Sequence, residues 1–215
     1  MAKAVRKISL EIDEQQLKSD LDRYRQKVLE LGATEAAIVR AADVPVDDRV
    51  ALKCQIPLCF GYGTSQNCPP HTLKPSELRE ILSKYDYAVF FTMDVPPEVI
   101  VRDKATIKER VAAYQRAFAI VNEIESMAFY DGYHLAFGLA AGSCRHTFCG
   151  RQPACAVMEG EKCRFSLRAR PSMEAVGIDV YRMAASQGWD IYPIGSDAKP
   201  EDVPKSTLAG IVIVH

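Results

Sequence analysis

The sequence predicts an α/β fold with a mostly parallel or mixed central sheet of about five strands, flanked by helices, and with two cysteine-bearing loops at one edge. Segments of helical period alternate along the chain with short runs rich in β-branched and aromatic residues. Apolar residues occupy 48% of the 215 positions, which is enough to fill a sizeable core. We therefore expect a single α/β domain over residues 1–215.

The first part of the chain alternates helix and strand. Apolar side chains recur at helical spacing over 13–31, and Gly32 suits the C-terminal stop of that helix. The elements expected as far as residue 93 are a helix over 13–31, a strand over 36–41, a turn over 43–48, a strand or helix over 49–53, a helix over 75–85 and a strand over 87–93.

The remainder begins with a long amphipathic helix over 104–130, whose apolar residues recur at steps of three and four. At 1.5 Å per residue it spans roughly 40 Å, so we expect it either to lie across a sheet or to offer its distal half to a homodimer partner. The later elements are a buried strand over 133–140, a helix from Ser172 to Gln187 stopped by Gly188, and strands over 189–194 and 208–214. The short connection between the last two strands favours an antiparallel edge.

Charge and hydropathy exclude several classes of protein. A formal net charge of −1 gives no overall attraction for nucleic acid or an anionic membrane, and the 8% of aromatic residues are not interleaved with a basic stripe. The first residues lead into a charged helix, and no apolar run approaches the roughly 20 residues that span a bilayer. We expect a cytoplasmic protein with reduced thiols, and the odd count of seven cysteines also argues against a disulfide framework.

The seven cysteines all lie in two short segments. Cysteines that only fill a core would be scattered along helices and strands, whereas both segments are rich in Gly, Pro and polar residues. The distribution therefore predicts metal binding. The first segment holds Cys54, Cys59 and Cys68, and the second segment holds Cys144, Cys149, Cys155 and Cys163.

Four thiolates in the second segment are enough for one tetrahedral metal or one cubane cluster. Their spacing matches neither the paired Cys-x2-Cys knuckles of zinc ribbons nor the cysteine run of bacterial ferredoxins. Between Gly142 and Pro171 there are six cations and two anions, which suits a negatively charged cluster, an anionic substrate or a merely solvated basic loop. His146 is an alternative ligand or a surface residue.

The expected helix from Ser172 would direct its N-terminal amides towards that centre. Glu174 in its first turn is interpreted as support for the helix cap rather than as a chemical group. Asp179, further along the same helix, is interpreted as a surface or packing residue.

The first segment offers only three thiolates, so its coordination shell is incomplete. His71, water, a substrate or a cysteine from the second segment could complete it, and cysteines that are incidental to a glycine-rich turn are the alternative. Gly61 and Gly63 allow backbone N–H groups to approach an anion. No acidic residue lies between Lys53 and Lys74, which also suits an anionic centre.

Several short motifs carry a family resemblance. They are Lys53-Cys54, Gly61-Tyr-Gly63, Cys68-Pro-Pro70, Arg170-Pro-Ser-Met-Glu-Ala175 and Gly177-Ile-Asp-Val180. Over about residues 35–194 the chain resembles the predicted metal-binding proteins of unknown function found in anaerobic bacteria and archaea. The resemblance implies a metal-binding domain whose cysteines hold iron–sulfur clusters, and it implies no particular reaction.

Three classes of function remain open. The first is an iron–sulfur protein with one or two [4Fe-4S] clusters that transfers electrons to, or reductively activates, a redox partner protein. The second is an enzyme in which the three-cysteine site holds a cluster with one open iron, which acts as a Lewis acid on substrate. The third is a zinc-stabilised binding module.

Overall fold

The computed structural model describes residues 5–9, 11–101, 106–195 and 197–215. Its helices are α1 (Glu14–Glu30), α2 (Asp48–Leu52), α3 (Pro75–Leu82), α4 (Pro97–Ile100), α5 (Ile107–Tyr130), α6 (Cys144–Phe148) and α7 (Val180–Ser186). Its strands are β1 (Glu35–Arg40), β2 (Tyr87–Val95), β3 (Phe137–Leu139) and β4 (Ser206–Ile213). Short 3-10 helices occupy Ala41–Asp43, Ala156–Glu159, Glu174–Val176 and Pro200–Asp202.

The α/β class is confirmed, but the expected sheet is wrong. In the described ranges the sheet has four strands in the order β1-β2-β4-β3, and every neighbouring pair is antiparallel. The expected strand over 133–140 shrinks to the three residues of β3. Residues 189–194 form no strand, and Trp189 instead stacks on Phe90 with ring centroids 5.2 Å apart.

Helices and turns cover both faces of the sheet, and this explains the error. On β2, Phe91 and Met93 belong to the core shared with α1 and α5, while Ala88 and Phe90 belong to the core shared with α3 and α7. A strand that is buried on both faces has a nearly continuous apolar sequence. Such a run is typical of parallel sheets, but it reports burial on two sides rather than strand direction.

The amphipathic helices are confirmed. Asp13 caps α1 by accepting a hydrogen bond from the Gln16 N–H at 2.9 Å, and Gly32 follows the helix with a φ of 100°. Helix α5 packs on β4 and on α1, so it does lie across the sheet. The first two residues of the expected helix over 104–130 fall outside the described residues. A homodimer through this helix stays a prediction.

The segment over 49–53 adopts the helical alternative, as α2. The helix expected from Ser172 to Gln187 is wrong, because a single 3-10 turn ends at Gly177 with a φ of 93° and the chain restarts as α7. A Cβ at Gly177 would approach Pro75 to 2.8 Å, so close packing also requires glycine there. Asp179 caps α7 by accepting a hydrogen bond from the Arg182 N–H at 2.9 Å, a structural role that is consistent with its interpretation as a surface or packing residue.

No helix in the described ranges combines the length and the apolar character needed to cross a membrane.

Candidate metal centre

Two long connections carry the cysteine segments and bring them together. The first segment lies between α2 and α3, and the second begins at α6 in the connection from β3 to β4. The Cys68 Sγ lies 3.5 Å from the Ser143 Oγ. The Asn67 Nδ2 donates to the Cys144 Sγ at 3.4 Å, and the Ser65 Oγ lies 3.9 Å from the same sulfur. Residues 65–68 therefore form the junction between the segments.

Backbone N–H groups point at sulfur in both segments. The Gly61 N–H donates to the Cys59 Sγ at 3.5 Å, and the Phe165 N–H donates to the Cys163 Sγ at 3.4 Å. Both contacts link a cysteine to the amide two residues further on. Such donors favour the thiolate form and orient the sulfur atom.

The thiols differ in burial and in proton affinity. Cys68 and Cys144 are buried, and the other five are half-buried. Burial, together with neighbouring thiols, raises the pKa of Cys54 to about 11. Burial raises the pKa of Cys144 to about 11 as well, against the opposing hydrogen bonds of Asn67 and Ser65.

Cys155 behaves in the opposite way. Burial alone would raise its pKa, but hydrogen bonds from the backbone N–H groups of Gln66, Met158 and Val157 lower it overall. Gln66 belongs to the first segment, so the junction reaches a second sulfur of the other segment. The fold thus supplies donors to thiols across a large separation in sequence.

The glycines of the first segment shape its turn. Gly63 has a φ of 71°, a conformation that favours glycine, and its N–H donates to the Pro69 carbonyl at 2.7 Å. A Cβ at Gly61 would lie 3.5 Å from both the Cys68 Sγ and the Ser143 Cβ. These glycines therefore let the turn close around its cysteines and against the second segment.

Arginines and aromatic rings brace the second segment. Arg145 donates to the carbonyl oxygens of Cys149 and Gln152, and to that of Pro153 at 3.3 Å. Phe148 stacks on Phe165 with centroids 5.3 Å apart. Phe148 also contacts Phe118 of α5 at 5.0 Å, which anchors the loop on the helix.

The Arg170-Pro-Ser-Met-Glu-Ala175 motif is mainly a structural brace. Arg170 forms two hydrogen bonds with Glu125 of α5, at 2.6 and 2.8 Å, and Glu125 also accepts from the Gly138 N–H of β3 at 2.8 Å. The Ala140 N–H donates to the Pro171 carbonyl at 2.9 Å, which ties the motif to the end of β3. Nothing in the sequence pattern identified Glu125 as the partner of this motif.

A cavity adjoins the first segment. It consists of two adjoining pockets that share lining residues such as Cys59, Phe60 and Tyr114, and we name them by their charged residues, the Glu174 half of about 340 Å³ and the Lys53 half of about 720 Å³. The Glu174 half is lined by Cys54, Cys59 and Cys68, and Cys59 also lines the Lys53 half. Because β3 is only three residues long, β4 continues beyond it, and residues 207–209 of β4 form part of the wall.

Glu174 was interpreted from the sequence as cap support, but it lines the cavity. Its side chain is reached from the cavity, while the protein around the carboxyl group displaces water and raises its pKa. The Ser172 hydroxyl forms a hydrogen bond with this carboxyl group. Glu174 also interacts electrostatically with Cys54 and Tyr181. A carboxyl group is thus placed beside the thiols, and only the folded chain reveals it.

The two candidate histidines are both exposed. The ring of His146 packs on Phe60 with centroids 4.6 Å apart, and burial lowers the pKa of its imidazole. His146 lines the Lys53 half of the cavity, whereas His71 lines neither half.

The donor set suits a soft metal by its chemistry, because all seven cysteines are free thiols. However, among the described residues no three or more His, Cys, Asp or Glu side chains are grouped so that they could hold one metal ion. The thiols converge at a junction without forming a tight single-ion shell.

The fold and the junction define an α/β protein with a thiol-rich, N–H-lined site. Residues 37–214 match the family described as "Predicted metal-binding protein (DUF2284)", and the chain belongs to that family. No curated protein and no solved structure matches the chain. Metal binding is therefore the function that this family membership supports.

Proposed function

We propose that this protein binds [4Fe-4S] clusters and transfers electrons to, or reductively activates, a redox partner protein. In this proposal Cys144, Cys149, Cys155 and Cys163 hold one cluster. The thiols of Cys54, Cys59 and Cys68 hold a second centre or complete a shared one. When bound, such a cluster supplies one-electron transfer at a potential set by its protein surroundings.

The N–H donors aimed at sulfur carry the proposal. Donors reach Cys59 and Cys163 from the backbone, Cys144 from the Asn67 amide and Cys155 from Gln66. A cysteine that only fills a core needs no such partner, because a thiol is a weak acceptor. Hydrogen bonds to sulfur stabilise negative charge on a thiolate and tune the potential of an iron–sulfur centre.

The distribution of the thiols over two segments favours a cluster over a single zinc ion. Tetrahedral zinc with Zn–S bonds of about 2.3 Å requires sulfur atoms only about 3.8 Å apart. A cubane cluster binds each thiolate at a separate iron, so its ligands stand further apart. The seven thiols are spread over two segments that meet at residues 65–68, and this spread suits the larger inorganic core.

Local charge supports the same centre. The range 142–171 has an excess of four cations, which offsets the net negative charge of a thiolate-bound cluster. Several of these cations are exposed and suit an acidic redox partner. A reducing cytoplasm would keep the free thiols available for iron, and that location is part of the proposal.

Anaerobic purification followed by iron, sulfide and zinc quantitation and Mössbauer spectroscopy tests the proposal. We expect brown, oxygen-labile protein with about four irons and four sulfides per cluster, and a paramagnetic signal on reduction. Colourless, folded protein that contains zinc but neither iron nor sulfide would overturn the proposal. That result would instead favour a zinc-stabilised binding module.

The cavity favours a second candidate, an enzyme whose first-segment cluster has one open iron. Cys54, Cys59 and Cys68 line the cavity, whereas Cys149, Cys155 and Cys163 do not. An open iron would act as a Lewis acid on a ligand held there. In a Cys155→Ala variant that retains the first centre, a small thiol should change the Mössbauer signal of one iron, and an unchanged spectrum would exclude this candidate.

A further inference from the structure

We infer that the cavity beside the first segment binds a small molecule with a flat apolar body and one anionic group. This concerns ligand binding by the side chains of the chain itself, in the part of the cavity that a centre on Cys54, Cys59 and Cys68 would leave open. It goes beyond electron transfer, and it names the class of ligand that an open-site enzyme would receive.

The Glu174 half offers surfaces to a flat apolar body. Tyr62, Tyr181 and Tyr192 line this half, and Leu208 and Ile191 contribute aliphatic wall. Tyrosine rings provide large rigid faces for stacking, and aliphatic neighbours exclude water from the bound face. An aromatic ring bound here would be removed from water and would contact apolar side chains.

Phe60 and Tyr114 line both halves, so a ligand can contact the two together. The ring of Tyr114 packs against Gly142, where a Cβ would approach it to 2.6 Å. Gly142 also has a φ of 68°, so both its backbone and the adjacent ring require a glycine. Local packing therefore fixes the wall between the two halves.

The two halves differ in their charged residues. Among the described residues that line either half, Glu174 is the one carboxyl group, whereas Lys53 and Arg110 are the cations and both line the Lys53 half. The Arg110 guanidinium is held in place by the Val99 carbonyl at 2.8 Å. An anionic group is attracted to the Lys53 half by these two cations. The ring of the ligand then points towards the tyrosines.

Three probes with one ring system and different charges test this inference. They are 2-naphthoate, 2-naphthamide and 2-naphthylmethylamine, titrated calorimetrically into anaerobically prepared protein. We expect 2-naphthoate to bind about two- to fivefold more tightly than the neutral amide, as a partly exposed charge contact permits. The amine should bind most weakly. Equal affinities for the three, or tighter binding of the amine, would overturn the inference.

Two separate lysine substitutions, one in the cavity and one outside it, provide the matched variants. Lys53→Ala should weaken 2-naphthoate binding towards the level of the amide, with Arg110 retaining part of the preference, and should leave the amide unchanged. Lys84→Ala removes an exposed lysine that pairs with Glu80 at the end of α3, and it should leave all three affinities unchanged. The inference fails if the two variants behave alike. With 2-naphthyl phosphate as a fourth probe, the tighter of the two anions identifies phosphate or carboxylate as the preferred group.

Iron is counted on every sample, which separates this inference from the proposed function. If protein that contains no iron binds the probes selectively by charge, the ligand-binding inference is supported and the proposed cluster is contradicted. Fully iron-loaded protein that binds none of the probes at millimolar concentration would contradict the cavity alone.

Discussion

The two cysteine segments differ in what surrounds their sulfur atoms. The thiols of the first segment form part of a cavity wall, next to a carboxyl group and several aromatic rings. The second segment is a loop whose carbonyl oxygens are braced by Arg145 and whose rings are packed on α5. Packed loops hold a centre rigidly, while an open wall allows a ligand to approach. If the proposed clusters are present, the first-segment centre would face a ligand and the second-segment centre would lie in the packed loop.

Removing one cysteine from each segment should have the largest effect on iron content. These variants test most directly whether the two segments hold separate centres. Cys155→Ala should lose about four irons and lower the melting temperature, because cluster binding and folding are coupled. Cys54→Ala should lose iron from the other centre and alter the binding of 2-naphthoate, which Cys155→Ala should leave intact. Iron analysis, thermal unfolding and calorimetry on the same samples measure these effects.

Ser166→Ala, which changes an exposed serine in the same loop, is the control for Cys155→Ala and should keep full iron. Full iron in both cysteine variants would contradict the ligand assignment. Equal effects of the two variants on 2-naphthoate binding would contradict the separation between the centres.

Arg145 should affect only the second segment. Arg145→Met removes hydrogen bonds to three carbonyl oxygens of that loop, at a cost of about 1–3 kcal/mol. We expect faster loss of iron to a chelator under argon, with the iron of the first segment retained. Arg151→Met changes an exposed arginine of the same loop and should leave the rate unchanged. If both variants lose iron at the same rate, net charge rather than bracing holds the loop.

The hydrogen bond from Asn67 to Cys144 should have a smaller effect. Asn67→Ala removes an N–H donor to sulfur and should lower the reduction potential of the second centre while leaving its iron in place. Gln66→Ala keeps the backbone N–H that reaches Cys155, so it should leave the potential unchanged. Potentiometric titration followed by electron paramagnetic resonance measures both, and an unshifted potential for Asn67→Ala would remove Asn67 from the site.

Substitution of Asp20 should change stability without changing the iron content, so it provides a baseline for the cysteine variants. Its buried carboxylate accepts hydrogen bonds from Arg6, Arg23 and Tyr133. Burial alone would raise its pKa, but these partners lower it. Asp20→Asn should reduce the free energy of unfolding by about 1–3 kcal/mol without changing the iron content.

The loss of unfolding free energy in Asp20→Asn should become smaller as the pH falls. Because the pKa is lowered in the folded state, the contribution of the carboxylate is complete above its ordinary value of about 3.9 and is lost as the pH falls through the lowered value. Denaturant unfolding at neutral and strongly acidic pH should show the stability difference between the unaltered protein and the Asp20→Asn variant narrowing in acid. Iron loss in Asp20→Asn would show that this network supports the metal centre after all.

Sequence periodicity correctly predicted the helices that bury one face. It failed for segments that are apolar because they are buried without forming a regular helix or strand. Helices α1 and α5 each present one apolar side to the core, so their period is visible. The run at 189–194 is apolar because Trp189 packs on Phe90 and Ile191 lines the cavity, with no strand ladder involved. Gly177 was a visible signal against one long helix, and its positive φ is the reason.

For the candidate site, the sequence singled out the seven thiols and missed their neighbours, and a metal-binding role for these thiols stays a prediction. Two tight groups of cysteines are visible in a linear chain, but Asn67 and Cys144 are 77 positions apart and no periodic pattern links them. Glu174 lies in a segment whose spacing resembled a helix start, so its carboxyl group was interpreted as a cap. Only the turn that replaces this helix directs it into the cavity.

The position of β4 has a consequence for biosynthesis. This strand lies between β2 and β3 although it follows both cysteine segments in the sequence. The nascent polypeptide therefore exposes all seven thiols before its central strand emerges from the ribosome. If these thiols bind a metal cofactor as proposed, its insertion into the finished scaffold would come after synthesis of this strand.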